Sequence, residues 1–518
     1  MKKTPLFITI LTFLVFSLAG IAYSWQGRMA GMGAPYGLIM DESDFLIHPA
    51  GIAKGQGINF YGHYRFNWWG VQDWNYTVDT FDSTGLFLGR FPYRTSGHEW
   101  KNDALLGAAF PMGPGRIGLF FEYEGKRGDF HGKNNEFYTF AGSYFDKYSL
   151  ENDLDRFALR LLYGLPMGGF KLGGEIQLVY RNEKNETFLN GDWDGTGPRA
   201  FYTNYPLGGE SQYWNLFPFM FPYDSKYWEA LLKGSIKGAI GPVKTALTVR
   251  GGVIFGGDNK YDAKGNSPAG ISAINMRGDV DGWRLGGDLW LRYPLKESLS
   301  LPFLFRVDYL KKTRDGDGSG FGPDLIVGIV DYKNKETIFQ IEVGGGVDKE
   351  FAKGTRVAAG IYYDYIQNKN KFSSSGLDPA TGDFTFINYS KYPDHTEHQI
   401  ILRLAGEKEI TPMFAMRMGL NLFYGWVKED FGFRYLDSTP NDDTTKSSLD
   451  GSHWGIGAWL GGTVKFPRFS LEPFVGGGYQ KLGLDGNGTN TEISPIGLTE
   501  WDKTRKEWFI GGGFSVKF

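Results

Sequence analysis

Alternation with a period of two runs from Gly57 to the C-terminus and limits every other reading of the chain. Ile58, Phe60, Tyr64, Phe66 and Trp68 share one face, opposite Asn59, Tyr61, His63, Arg65 and Asn67. At the other end, Trp508, Ile510, Gly512, Phe514, Val516 and Phe518 oppose Glu507, Gly511, Gly513, Ser515 and Lys517. A strand that is apolar on one side and small or polar on the other suits a wall between lipid and water. Further strands are read at 101–111, 116–126, 155–165, 170–181, 227–238, 243–255, 283–293, 300–312, 336–349, 355–367, 396–407, 413–428, 452–466 and 469–483. The count is about sixteen, with fourteen possible, which predicts an all-β, transmembrane, antiparallel up-and-down barrel.

The connections sort by length. Short ones at 112–115, 166–169, 239–242, 294–299, 350–354, 408–412 and 466–468 alternate with long ones. Phe110-Pro111-Met112-Gly113 and Leu165-Pro166-Met167-Gly168 nearly repeat each other, with Pro and Gly ending a strand and shaping a tight hairpin. The long segments are 70–100, 127–154, 182–226, 256–282, 313–335, 368–395, 429–451 and 484–503. Outer-membrane barrels alternate short periplasmic turns with long outer loops in this way.

Composition agrees. The 518 residues include 75 Gly and 17% aromatics, and mean hydropathy is −0.32, whereas a helical membrane protein needs apolar runs of about 20 residues. The one long apolar run follows Met1-Lys2-Lys3, and small residues at Ala22-Tyr23-Ser24 suit cleavage, so residues 1–24 are expected to be a signal peptide. Residues 25–56 lack sustained alternation and form a separate pre-barrel segment, and 57–518 the barrel. With no cysteine, disulfides and thiolate metal sites are excluded. A net charge of −3 without a basic tract gives no sign of nucleic acid.

The face opposite the apolar one carries Arg65, Arg160, Arg250, Arg284, Arg292, Arg306, Arg356, Arg403 and Arg417, and Glu122, Glu124, Glu175, Asp288, Asp308, Glu342, Asp364 and Glu472. In hydrocarbon each cation would cost roughly 2–4 kcal/mol at mid-depth, so these residues are expected to line the lumen. Both signs occur, and the charges either pair across strands or set selectivity. Loop 182–226 concentrates aromatics, among them Trp214, Phe217, Phe219 and Phe221, which either fold down into the barrel mouth, pack on other loops, or form an apolar ligand site.

Two stretches resemble known proteins. The final strand, ending on Phe518, resembles the last strand of bacterial outer-membrane barrels, which implies recognition by the barrel-assembly machinery. Gly27-Arg28-Met29-Ala30-Gly31-Met32-Gly33, Asp41-Glu42-Ser43-Asp44 and His48-Pro49-Ala50-Gly51-Ile52-Ala53 resemble the start of the long-chain fatty-acid transporter (FadL-like) family. There the segment is a hatch inside the barrel, and apolar substrates bind near the outer loops before passing inward. The resemblance implies that Asp41, Asp44, His48 and Pro49 belong to such a hatch, with a lumen charge such as Arg65 as an anchor. His48 stands where that family usually has Asn.

No enzyme is expected. The seven His are scattered, His395-Thr396-Glu397-His398 lacks the spacing of a helical zinc motif, and no nucleophile elbow or phosphate loop is present. Asp-Gly runs at 192–195, 315–320 and 485–489 lack a closing Glu and are expected to be solvated turns rather than Ca²⁺ sites. No catalytic residue, cofactor or metal is assigned. The expected function is passive uptake of a small apolar or amphipathic molecule across the lipopolysaccharide-bearing outer membrane. Two alternatives stay open: a diffusion pore for hydrophilic solutes, and a structural barrel that binds an exported protein.

Overall fold

A computed structural model describes Met32 and residues 37–39, 42–81, 87–133, 144–192, 199–203, 223–267, 270–321, 329–352, 354–377, 384–385, 391–435, 443–486 and 496–517. The leader 1–24, Asp41, Trp214, Phe217, Phe219, Phe221 and Phe518 lie outside the described residues. Sixteen antiparallel strands form one closed wall. They are β1 Asn59–Phe81, β2 Phe87–Met112, β3 Gly115–Lys133, β4 Tyr144–Met167, β5 Phe170–Asp192, β6 Tyr223–Ile240, β7 Val243–Ser267 and β8 Val280–Lys296. The second half comprises β9 Leu299–Phe321, β10 Ile329–Ala352, β11 Thr355–Leu377, β12 Lys391–Thr411, β13 Phe414–Tyr435, β14 Asp443–Lys465, β15 Phe469–Gly486 and β16 Ile496–Lys517. Strand β16 pairs with β1 from Asn59↔Lys517 to Thr80↔Ile496 and so closes the cylinder. Three shorter strands, Arg199–Thr203, Gly270–Gly278 and Phe384–Thr385, extend the sheet on the loop side.

The short turns are set by glycines with positive φ at Gly113, Gly168, Gly241 and Gly354, where a side chain would strain the backbone. Successive residues of a strand then meet opposite media. Ile176 is 57% exposed to the outside, while its neighbour Glu175 is 3% exposed inside. The exposed apolar residues described on β4, from Phe157 through Leu159, Leu161 and Tyr163 to Met167, lie in its turn-side half. The same holds for Leu106, Phe110 and Met112 of β2.

The long connections differ from the sequence expectation. Much of 70–100 belongs to β1 and β2, and 315–320 lies within β9 rather than in a turn, with Asp315 bonded to Lys333 of β10. The wall strands run from 17 to 26 residues. At about 3.3 Å per residue and a tilt near 40°, a 22-residue strand rises roughly 55 Å, about twice the apolar band of such barrels. Above that band both faces meet water, so hydrophobic alternation fades while backbone pairing continues.

Candidate functional site

The site is the turn-side half of the lumen, occupied by part of the chain itself. Two 3₁₀ turns, Glu42–Leu46 and Pro49–Lys54, lie against the inner wall. The Asp44 carbonyl accepts from the amides of Ile47 and His48, at 2.9 and 2.7 Å. Pro49 opens the second turn, where its missing N–H is no loss.

Wall side chains satisfy the segment's polar groups. Arg160 and Lys233 both donate to the Leu46 carbonyl, at 2.8 and 3.0 Å. Ala50 N donates to Ser235 Oγ at 2.6 Å, and His48 Nδ1 lies 2.7 Å from Thr248 Oγ1. Burial pushes the His48 imidazole down to about 3, with the nearby Asp288 opposing and Lys237, Arg306 and Arg250 reinforcing. Further along, Arg116 donates to Gly57 O at 2.8 Å and Trp290 Nε1 to Gly37 O at 3.0 Å.

Apolar contacts do the rest in two patches. Phe45, Leu46 and Ile52 pack with Tyr61, Leu105, Ala109, Phe120 and Leu162 of β1 to β4. The Phe45 ring lies 5.4 Å from Tyr61 and 5.3 Å from Phe120, centroid to centroid. Met32, Leu38 and Ile39 pack on the far side with Leu304, Ala358, Tyr362 and Ala405. The wall makes room with glycine. A Cβ on Gly173 would fall 2.0 Å from Ala50 N, and on Gly118 2.5 Å from Ile52 Cδ1. One on Gly360 would meet Leu38 Cδ2 at 2.5 Å.

Around the segment the inward charges form a belt of largely alternating sign, interrupted where Lys233 stands opposite Arg250 and Glu342 opposite Asp364. Glu122 of β3 meets Arg160 of β4, which bonds Glu175 of β5 at 2.8 Å, which in turn meets Lys233 of β6 at 3.2 Å. Arg250 of β7 bonds Asp288 of β8, then Arg306 of β9, Glu342 of β10 and Arg403 of β12 follow at 2.6, 3.2 and 2.6 Å. Asp348 holds both Arg292 and Arg356, Arg417 bonds Glu407, and Asp364 accepts from Gln340 at 3.0 Å. Arg65 donates to Asp103 of β2 at 2.9 Å, and the Leu46 carbonyl is held by Arg160 and Lys233 instead. Higher up, Arg314 of β9 reaches Glu183 of β5 at 2.9 Å, a chord past the three strands between them.

Sequence reasoning missed the phase of the glycines. Gly118, Gly164, Gly173, Gly346 and Gly360 all sit at inward positions, on the same alternation that carries the charges. The run His395-Thr396-Glu397-His398 is split by that alternation. His395 and Glu397 are buried inside, 3.4 Å apart, while His398 turns outward to the Tyr363 hydroxyl at 2.7 Å. Among the described residues no group of three His, Asp or Glu side chains is placed to hold a metal.

Fold and site define a transmembrane β-barrel whose lumen holds its own N-terminal segment. No protein-family model matches the chain, and no curated protein matches it. Solved structures do. A FadL homologue from Pseudomonas aeruginosa aligns at 12% identity over 96% of this chain and 100% of its own, with TM-score 0.43. The toluene transporter TodX of Pseudomonas putida aligns at 13% identity over 96% and 99%, with TM-score 0.41. The toluene transporter TbuX of Ralstonia pickettii aligns at 11% identity over 96% and 99%, with TM-score 0.39.

Proposed function

We propose that this protein is an outer-membrane channel for passive uptake of small apolar or amphipathic molecules, with residues 42–54 as its internal gate. One observation carries the reading: an apolar and hydrogen-bonded segment seated on wall glycines inside an otherwise charge-lined cylinder. An open aqueous pore has no use for such a fitted occupant. Asp44, His48 and Pro49 would act as parts of this gate, and the paired lumen arginines as its frame.

The test is transport by purified protein in liposomes. Labelled hydrophobic probes such as toluene should equilibrate faster than in empty vesicles, while sugars cause no swelling. Rapid swelling with sugars would move the assignment to a general pore. Asp44→Ala, at a carboxylate buried within the segment, should raise single-channel conductance in planar bilayers. Unchanged conductance would count against the gate.

A further inference from the structure

Below the internal segment, at the short-turn mouth, lies a recess of about 600 Å³. Its charged lining is basic throughout: Lys54 from the segment, Lys171 of β5, Lys237 of β6, Lys244 of β7 and Arg292 of β8. Among the described residues no carboxylate lines it. The rings of Phe45, Tyr61 and Trp290 supply its apolar part. That volume falls in the range of small-ligand pockets, about 300–1,000 Å³.

The register sets cation against cation in this recess. Lys171 stands directly opposite Lys237, and Arg292 directly opposite Lys244. Like charges so placed repel and destabilise a sheet. In the belt above, Lys233 also stands opposite Arg250, but there Lys233 bonds Glu175 and Arg250 bonds Asp288 and Asp308. Arg292 has Asp348 as its partner, whereas no ion pair among the described residues involves Lys54, Lys171 or Lys244. The charges of Lys54 and Lys171 bear on one another. Among the described residues Lys54, Lys171 and Lys244 thus line this recess without a carboxylate partner.

We infer that this recess binds an aromatic carboxylate, its acid group between Lys171 and Lys244 and its ring toward Phe45, Tyr61 and Trp290. The inference rests on reading the lumen as a route, and gives that route an anion-selective station at its short-turn end. Binding is non-covalent, so the carboxylate arrives and leaves ionised.

Calorimetric titration of the full-length barrel in non-ionic detergent tests it, with 2-naphthoate, 2-naphthalenemethanol, decanoate and acetate as probes. The expected order places 2-naphthoate at least tenfold tighter than each of the others. Lys171→Gln with Lys244→Gln should weaken 2-naphthoate at least tenfold and leave the neutral alcohol unchanged, and Lys171→Arg with Lys244→Arg should keep the acid's affinity. Removing like-charge repulsion should not lower the melting temperature of the Gln variant, which circular dichroism checks. Equal binding of acid and alcohol, or an unchanged affinity in the Gln variant, overturns the site. Decanoate or acetate binding as tightly as 2-naphthoate overturns its aromatic character. Discrimination in micelles without flux into liposomes would leave the site standing and remove the transport reading. Flux of both probes without discrimination would do the reverse.

Discussion

The belt and the recess share strands β5 to β8, yet the belt sets carboxylates against its cations while the charged lining of the recess is basic throughout. In the belt Arg160, Glu175, Lys233, Asp288, Arg306 and Glu342 each touch a partner of opposite sign. In the recess, a few residues nearer the turns, Lys171 and Lys244 face other cations. The difference separates two uses of a lumen charge. A paired charge stiffens the wall and leaves little field for a solute, whereas an unpaired one is stored repulsion that a bound anion relieves. The internal segment touches both and draws on the first, where Arg160 and Lys233 also donate to the Leu46 carbonyl.

The comparison breaks most readily at Phe45. Phe45→Ala deletes a buried ring between Tyr61 and Phe120, at about 3–5 kcal/mol for a change of this kind. The frequency of channel openings should rise steeply in bilayer recordings while the barrel's own melting temperature changes little. A steep fall in the melting temperature alongside the rise in openings would mean that segment and wall unfold as one unit. A smaller effect is expected from Asp288→Asn, which leaves Arg250 and Arg306 without their shared carboxylate. Because Arg306 keeps some contact with lumen water, the cost should be roughly 2–3 kcal/mol, read as a lower melting temperature of the wall. Asp308 and Glu342 retain the outer bonds of the two arginines, so the barrel should still fold.

The smallest effect is a pH dependence at His48. Its docked pKa is about 3 against an ordinary 6.5, so the released segment binds the proton more readily than the docked one. The contribution of neutral His48 to docking is therefore whole above pH 6.5 and declines as the pH falls toward 3. Openings should become more frequent on acidification from pH 7 to pH 5. His48→Asn, which keeps a hydrogen-bonding group without a titrating one, should flatten that profile. A profile unchanged by the substitution would assign the response to other groups.

The fold was legible because lipid and water impose opposite demands on adjacent residues. Ile58 to Trp69 shows the two faces without help from any coordinates, and the turns at Gly113 and Gly168 announce themselves by Pro and Gly. What alternation cannot reveal is backbone pairing where both faces are wet, so 70–81 and 87–100 looked like loop although they continue β1 and β2. The inward phase of the lumen charges was also readable, but not their partners. Pairing Arg65 with Asp103, or Arg314 with Glu183, requires knowing the stagger between strands and the width of the lumen. The fit of the internal segment was written in the sequence as inward glycines, a signal visible only once each strand's phase is fixed.

Planar-bilayer recording of wild type beside Gly173→Val tests most directly whether residues 42–54 close the lumen. No side chain at 173 can coexist with the present position of Ala50. The account predicts a wild-type barrel that is almost silent to small ions and a variant with discrete openings on the scale of a sixteen-strand pore. A wild type that already conducts as a wide, steady pore, with the variant indistinguishable from it, would contradict the account.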